Sequence, residues 1–151
     1  MKNKGFTLLE ILIVLAILGI LSLIIFYTFS GLGKQEALQK DVLLVSSILT
    51  EAKTSTLSSK EDSNYGVYFE NDKIILFKGN NFQEDLNGNV IFKLSNLVEI
   101  ESIDLFDSSS ELVFSRLRGT VNNYGTITLS LRDGSNSSQI EILESGIVEI
   151  K

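Results

Sequence analysis

The sequence predicts an α+β fold: a long N-terminal helix, membrane-spanning in its first half, packed through its second half on an antiparallel β-sandwich-like domain. Three observations carry this. Residues 11–29 contain no charged side chain. Leu38, Val42, Val45, Leu49 and Ala52 then recur at steps of 4, 3, 4 and 3, the single stripe of an amphipathic helix. From Tyr65 onward, short apolar or alternating runs are separated by Ser, Asn, Asp and Gly, the mark of strands and turns.

The uncharged run, nineteen residues long, would make a helix of roughly 28 Å, matched to a hydrocarbon layer of ~30 Å. Lys2 and Lys4 precede it and hold the N-terminus on the cytoplasmic side, so the rest of the chain is expected beyond the inner membrane as a single-pass protein. A removable secretory signal fits less well: the run is long, and the region around Ser30 to Gly33 lacks an Ala-x-Ala site. One carboxylate, Glu10, stands at the start of the run. Thr7-Leu8-Leu9-Glu10 has the form of a capping box, which would give Glu10 a local structural role. A carboxylate in a spanning helix is nonetheless costly, and such groups are usually kept for a function.

Lys4-Gly5-Phe6-Thr7-Leu8-Leu9-Glu10, followed by the uncharged helix, resembles the N-terminus of the type IV pilin and type II secretion pseudopilin superfamily. The resemblance implies a leader of residues 1–5, cleavage by a prepilin peptidase between Gly5 and Phe6, and N-methylation of Phe6. It also implies assembly into a fibre with other pilins or pseudopilins on an inner-membrane platform. In such a fibre the Glu10 carboxylate pairs with the N-terminal amine of a neighbouring subunit. The physical logic is sound: a charge buried alone in lipid is expensive, and a paired one much less so. The transmembrane and assembly helix would then cover residues 6–29.

Small residues at Ala16, Gly19 and Ser22 permit close helix packing in lipid or serve as plain filler. Gly31 and Gly33 each cost a helix roughly 1 kcal/mol and mark an expected flexible point rather than a stop. Superfamily members often carry a proline within the membrane segment; this chain has none, so any kink falls to those glycines. The amphipathic continuation is expected over residues 30–58, with the protein's own sheet as its partner.

The β-rich domain is expected over residues 59–151. YGVYFE and KIILFK flank Asn71-Asp72, a two-residue hairpin turn, and VIFKL, VEIESIDLF, ELVFSRLRG, TITLSLR, IEILES and IVEIK follow. Stretches such as DSNYGVYFENDKIILFKG, SSSELVFSRLRGTV and ESGIVEIK resemble the H-type minor pseudopilin and FimT-like branch of the superfamily, whose domain is a β-sandwich packed on the helix. The resemblance implies a minor pseudopilin, with a FimT-like pilus-tip subunit active in DNA uptake or adhesion as the alternative.

Composition narrows the chemistry. The chain has no cysteine and no histidine, which removes thiolate nucleophiles, disulfides and the commonest general base and transition-metal ligand. The net charge is −6 and becomes −8, with 11 basic against 19 acidic residues, if Lys2 and Lys4 leave with the leader. Such a surface repels phosphate backbones. Asp85-Leu86-Asn87-Gly88-Asn89 alternates oxygen ligands, but its glycine is misplaced for a calcium loop and an Asn-Gly turn suits it better. Glu99 and Glu101 are expected on one solvated strand face. Arg116, Arg118 and Arg132 are the only arginines, and Arg116 and Arg118 are expected on one strand face, where they would pair with acids or meet a phosphate. Ser-x-x-Lys, Gly-x-Ser-x-Gly and Walker-type patterns are absent. No enzyme activity, cofactor or metal is expected.

Overall fold

The protein is described by a computed structural model that covers residues 7–84 and 88–151, with the side chains of residues 26–31 left aside. The chain divides into two compact units, Met1–Gln35 and Glu36–Lys151. A single helix, α1 (Leu8–Leu57), contributes to both. The helix does not stop at Gly33, where no atom lies near the position a Cβ would take.

In the second unit the predicted stripe is the buried face of α1. Leu38, Val42, Val45, Leu49 and Ala52 are all buried, with Ile48 beside them. They share one core with the inward residues of the eight strands found among the described residues: β1 (Tyr65–Phe69), β2 (Lys73–Lys78), β3 (Val90–Lys93), β4 (Val98–Leu105), β5 (Glu111–Val113), β6 (Gly125–Leu131), β7 (Ser137–Ile142) and β8 (Val148–Ile150). Two four-stranded antiparallel sheets result, ordered β3-β2-β1-β5 and β4-β6-β7-β8. Each fully buried aliphatic side chain in this core contributes about 1.5–3 kcal/mol. The helix end is tied to the first strand by Thr56, whose buried hydroxyl donates to the Ala52 carbonyl at 2.9 Å and accepts the Tyr65 N–H at 2.9 Å.

The β1–β2 hairpin closes over Asn71-Asp72 as the sequence predicts, with the Glu70 N–H donating to the Lys73 carbonyl at 2.9 Å. KIILFK is apolar on both faces because both are covered. Ile74 and Leu76 face the main core, while Phe77 lies over Gly66, where a Cβ would come within 2.5 Å of its ring. Phe82 completes that outer layer, stacked on Tyr68 at 4.1 Å.

One expectation fails for a stated reason. ELVFSRLRG is not one strand: β5 stops at Val113, Phe114 bridges Val121, and residues 115–120 turn back through hydrogen bonds from the Gly119 N–H to Ser115 and from the Ser115 N–H to Thr120. Leu117 and Gly119 are left-handed there, with φ of 68° and 66°, so Arg116 and Arg118 do not share a strand face. Glu99 and Glu101 lie outward in β4 as expected, between and beyond buried Val98 and Ile100, and the register slip between Ile100 and Ser102 leaves Glu101 without a strand partner at a bulge.

Asp41 is a buried acid that the sequence reading missed. It lies three residues after Leu38 and four before Val45, on the stripe, and its Oδ2 accepts the Ser95 N–H at 2.7 Å. Burial pushes its pKa above the ordinary carboxylate value, against the lowering effects of the Ser95 N–H and of Lys40. A raised folded-state pKa means that the folded chain binds this proton more readily than the unfolded one. Its favourable contribution is therefore full below the ordinary carboxylate range and is lost as pH rises through the folded value. Asp41→Asn, which keeps a carbonyl acceptor for Ser95, is expected to gain stability relative to wild type between pH ~3 and pH ~7. Denaturant titrations of both proteins at the two pH values check this; a relative loss over that interval would contradict it.

Candidate functional site

The first unit presents an apolar helical surface that is exposed throughout its described span. The segment Leu8–Ile25 has mean hydropathy 3.0, and none of it is buried. An apolar helix exposed all round demands lipid or other chains as its surroundings. Ser22 fits such surroundings, since its hydroxyl donates to the Leu18 carbonyl at 2.8 Å and leaves no donor unsatisfied.

At the start of this helix Thr7 is the cap. Its Oγ1 accepts the Glu10 N–H at 3.3 Å, and its carbonyl accepts the N–H groups of Glu10 and Ile11 at 3.1 and 3.3 Å. This is half of a capping box. The Glu10 side chain is exposed and, among the described residues, neither its hydrogen bonds nor its ion pairs include a partner. Glu10 thus sits in the first helical turn, where the helix dipole favours a negative charge, with its carboxylate available to a group from outside. Gly5 and Phe6, the expected cleavage pair, lie outside the described residues, as does the whole of the expected leader, residues 1–5.

Residues 1–26 match the family model of the prokaryotic N-terminal methylation motif. The match takes in residues 1–5, the Gly5-Phe6 junction, Glu10 and the apolar run as far as residue 26. It supports the type IV pilin-like superfamily and, with the exposed apolar helix, a membrane-anchored precursor that is processed by prepilin peptidase and assembles with other pilins. No curated protein and no solved structure matches the chain.

The three arginines are not gathered into one site. Arg116 reaches back to the segment after α1: its guanidinium pairs with the Asp62 carboxylate and donates to the Asp62 carbonyl at 3.2 Å and to the Ser59 hydroxyl at 3.3 Å. That segment is backbone-strained, with positive φ at Ser59, Glu61 and Asp62, and Arg116 holds it. Arg132 pairs with Glu99 at 3.1 Å on the other sheet. Arg118 is exposed and has no ion-pair partner among the described residues. The Asp85-Leu86-Asn87 portion of the stretch of alternating oxygen ligands lies outside the described residues, and among the described ones no group of three acids is placed to hold a metal.

Lys53, unremarkable in sequence, is a structural anchor. Its ammonium donates to the carbonyls of Ser145 and Gly146 at 3.2 and 2.9 Å, tying α1 to the loop before β8. Nothing in the local pattern around Lys53 signals this, because its partners are backbone atoms about ninety residues away.

Proposed function

We propose that this chain is a minor pseudopilin, a structural subunit of a type II secretion or type IV pilus-like fibre. The observation that carries the reading is the methylation motif on a helix whose apolar faces are uncovered and whose one carboxylate, Glu10, is unpaired within the described chain. Prepilin peptidase cuts between Gly5 and Phe6, Phe6 is N-methylated, and the new amine becomes the partner of a Glu10 carboxylate in an adjacent subunit. The chain sits in the inner membrane with its N-terminus inside before it enters the fibre. An α+β domain of two four-stranded antiparallel sheets on the helix supports the H-type branch. The DNA-capturing alternative draws no support from the arginines, two of which are committed to acids in a chain of net charge −6.

Intact mass and N-terminal sequencing of the protein from its native membrane test the proposal. A wild-type chain that begins at Phe6 with added methyl mass, beside a Gly5→Ala chain that retains its first five residues, is the expected result. A wild-type N-terminus at Met1 would leave a plain membrane anchor and overturn the proposal.

A further inference from the structure

Residues 58–63, between α1 and β1, form a loop whose base is tied. Thr56 and Tyr65 are both buried, and the Tyr65 N–H donates to the Thr56 Oγ1 at 2.9 Å, so the helix end and the first strand are joined beneath the loop. Asn64 is a second fixed point. Its carbonyl accepts the Gly79 N–H at 2.9 Å, and its Oδ1 accepts the Arg116 N–H at 3.1 Å. A surface loop with its ends held together in this way can move as one unit without pulling on the core.

Above that base the backbone is strained and wet. Ser59, Glu61 and Asp62 have φ of 50°, 53° and 53°, a left-handed conformation that is costly for any residue with a Cβ. None of residues 60–62 is buried, so apolar packing does not offset the cost. Two backbone hydrogen bonds close the turn, from the Asp62 N–H to the Ser59 carbonyl at 3.0 Å and from the Ser63 N–H to the Lys60 carbonyl at 3.3 Å, and water can replace both.

Two cations from other segments hold the loop down. Lys78 Nζ in β2 lies 2.7 Å from Glu61 Oε2. Arg116 pairs with the Asp62 carboxylate and also donates to the Asp62 carbonyl and the Ser59 hydroxyl, at 3.2 and 3.3 Å. Both pairs are open to solvent, and the Asp62 side chain is 86% exposed. Strained backbone persists only where its surroundings over-determine it, and surface ion pairs are weak and screened by salt. Glu61 and Asp62 are moreover adjacent acids, with Lys60 as the cation beside them in the loop. Without Lys78 and Arg116 their repulsion adds to the strain.

The loop also borders a space. Lys60 and Glu61 line a cavity of about 240 Å³ together with Glu51 of α1 and Tyr65, Leu76 and Phe77 of the first sheet. We infer that residues 58–63 are a lid on this cavity, latched by Arg116 and Lys78, which opens about the Thr56–Tyr65 contact while both sheets stay folded. Its trigger is the loss or screening of the two ion pairs. The inference rests on the second unit alone and holds whether or not the chain enters a fibre.

Hydrogen exchange of the full chain in detergent micelles, followed by mass spectrometry at low salt and at about 0.5 M salt, tests this. Peptides covering residues 58–63 are expected to exchange about fivefold faster or more at high salt, while those covering β6 keep their protection. Arg116→Gln should bring the same acceleration at low salt and leave little for salt to add. Lys78→Glu should accelerate the loop as well, and Glu61→Lys in the same chain should restore its protection, since the pair is then rebuilt with its charges reversed. Loop exchange that is indifferent to both salt and Arg116→Gln would overturn the inference. So would a loop that speeds up only when β6 does, because residues 58–63 would then open with the core and not as a lid.

Discussion

A Glu10→Leu chain is expected to insert in the membrane at least as well as wild type and to be almost absent from assembled fibres. The two halves of this expectation follow from one free energy. A carboxylate costs on the order of 2.5–3.5 kcal/mol at a bilayer centre and less near its edge, so leucine favours insertion. In the fibre the same carboxylate has a partner, and removing one member of a buried pair costs about 3–5 kcal/mol, because the remaining charge is left alone. The expected fall in incorporation is therefore about a hundredfold or more. Thr7 still caps the helix in this variant through the Glu10 backbone N–H, which the substitution leaves in place. Comparing membrane and sheared-fibre fractions from the same cells makes the test, with Glu10→Asp as the conservative control. Incorporation at the wild-type level would reduce Glu10 to a helix-capping residue.

Gly146→Ala is expected to destabilise the second unit by about 3 kcal/mol or more. Gly146 has φ of 70°, which an L side chain rarely adopts, and its Cβ would fall 2.1 Å from the Gly119 carbonyl oxygen and 3.3 Å from the Phe114 ring. Gly119 cannot retreat freely, since Leu57 and Lys53 lie 3.1 Å from its own Cβ position. Relief would come by opening the hydrogen bonds from Lys53 to Ser145 and Gly146, or the one from Val121 to Glu144. Gly134 is the matched control: its φ is 69°, but nothing lies within 4 Å of its Cβ position. Gly134→Ala should cost only about 1 kcal/mol. The chain has no tryptophan, so near-ultraviolet circular dichroism of its tyrosines follows denaturant unfolding of both variants. Equal losses would mean that backbone conformation alone, and not the close approach of two glycines, governs the site.

The architecture was legible where periodicity is long and strong. The stripe from Leu38 to Ala52 names the buried face of α1 residue by residue, and the Asn71-Asp72 turn fixes the first hairpin. The processing motif was legible for a different reason: it is local and linear, and so carries its whole meaning in seven residues. The arginine loop was not legible, because Arg116 is held by Asp62 and Ser59, more than fifty residues earlier in the chain. The same loop reverses direction at a leucine, a residue whose presence gives no sign of a left-handed turn. The bulge at Glu101 was half visible, since Val98, Ile100 and Ile103 break strict alternation, and only the pairing with β6 explains why. Asp41 was the clearest missed signal: an acid in step with Leu38 and Val45 belongs to the buried face by geometry, whatever its polarity suggests.

The stripe on α1 is also a matter of timing. It is made early, whereas β7 and β8, which complete the second sheet around the common core, are made last. At roughly 5–20 residues per second, the ninety or so residues between them take on the order of 5–20 s to synthesise. Throughout that interval the face from Leu38 to Ala52 has no finished sandwich to cover it, and it follows directly on a span that is apolar all round. Asp41, one step into that face from Leu38, puts a carboxylate there, and an ionised carboxylate holds water until it is paired. Its partner in the finished core, the Ser95 N–H, lies fifty-four residues later in the chain, so this acid cannot be paired as it is in the fold until that stretch has been made.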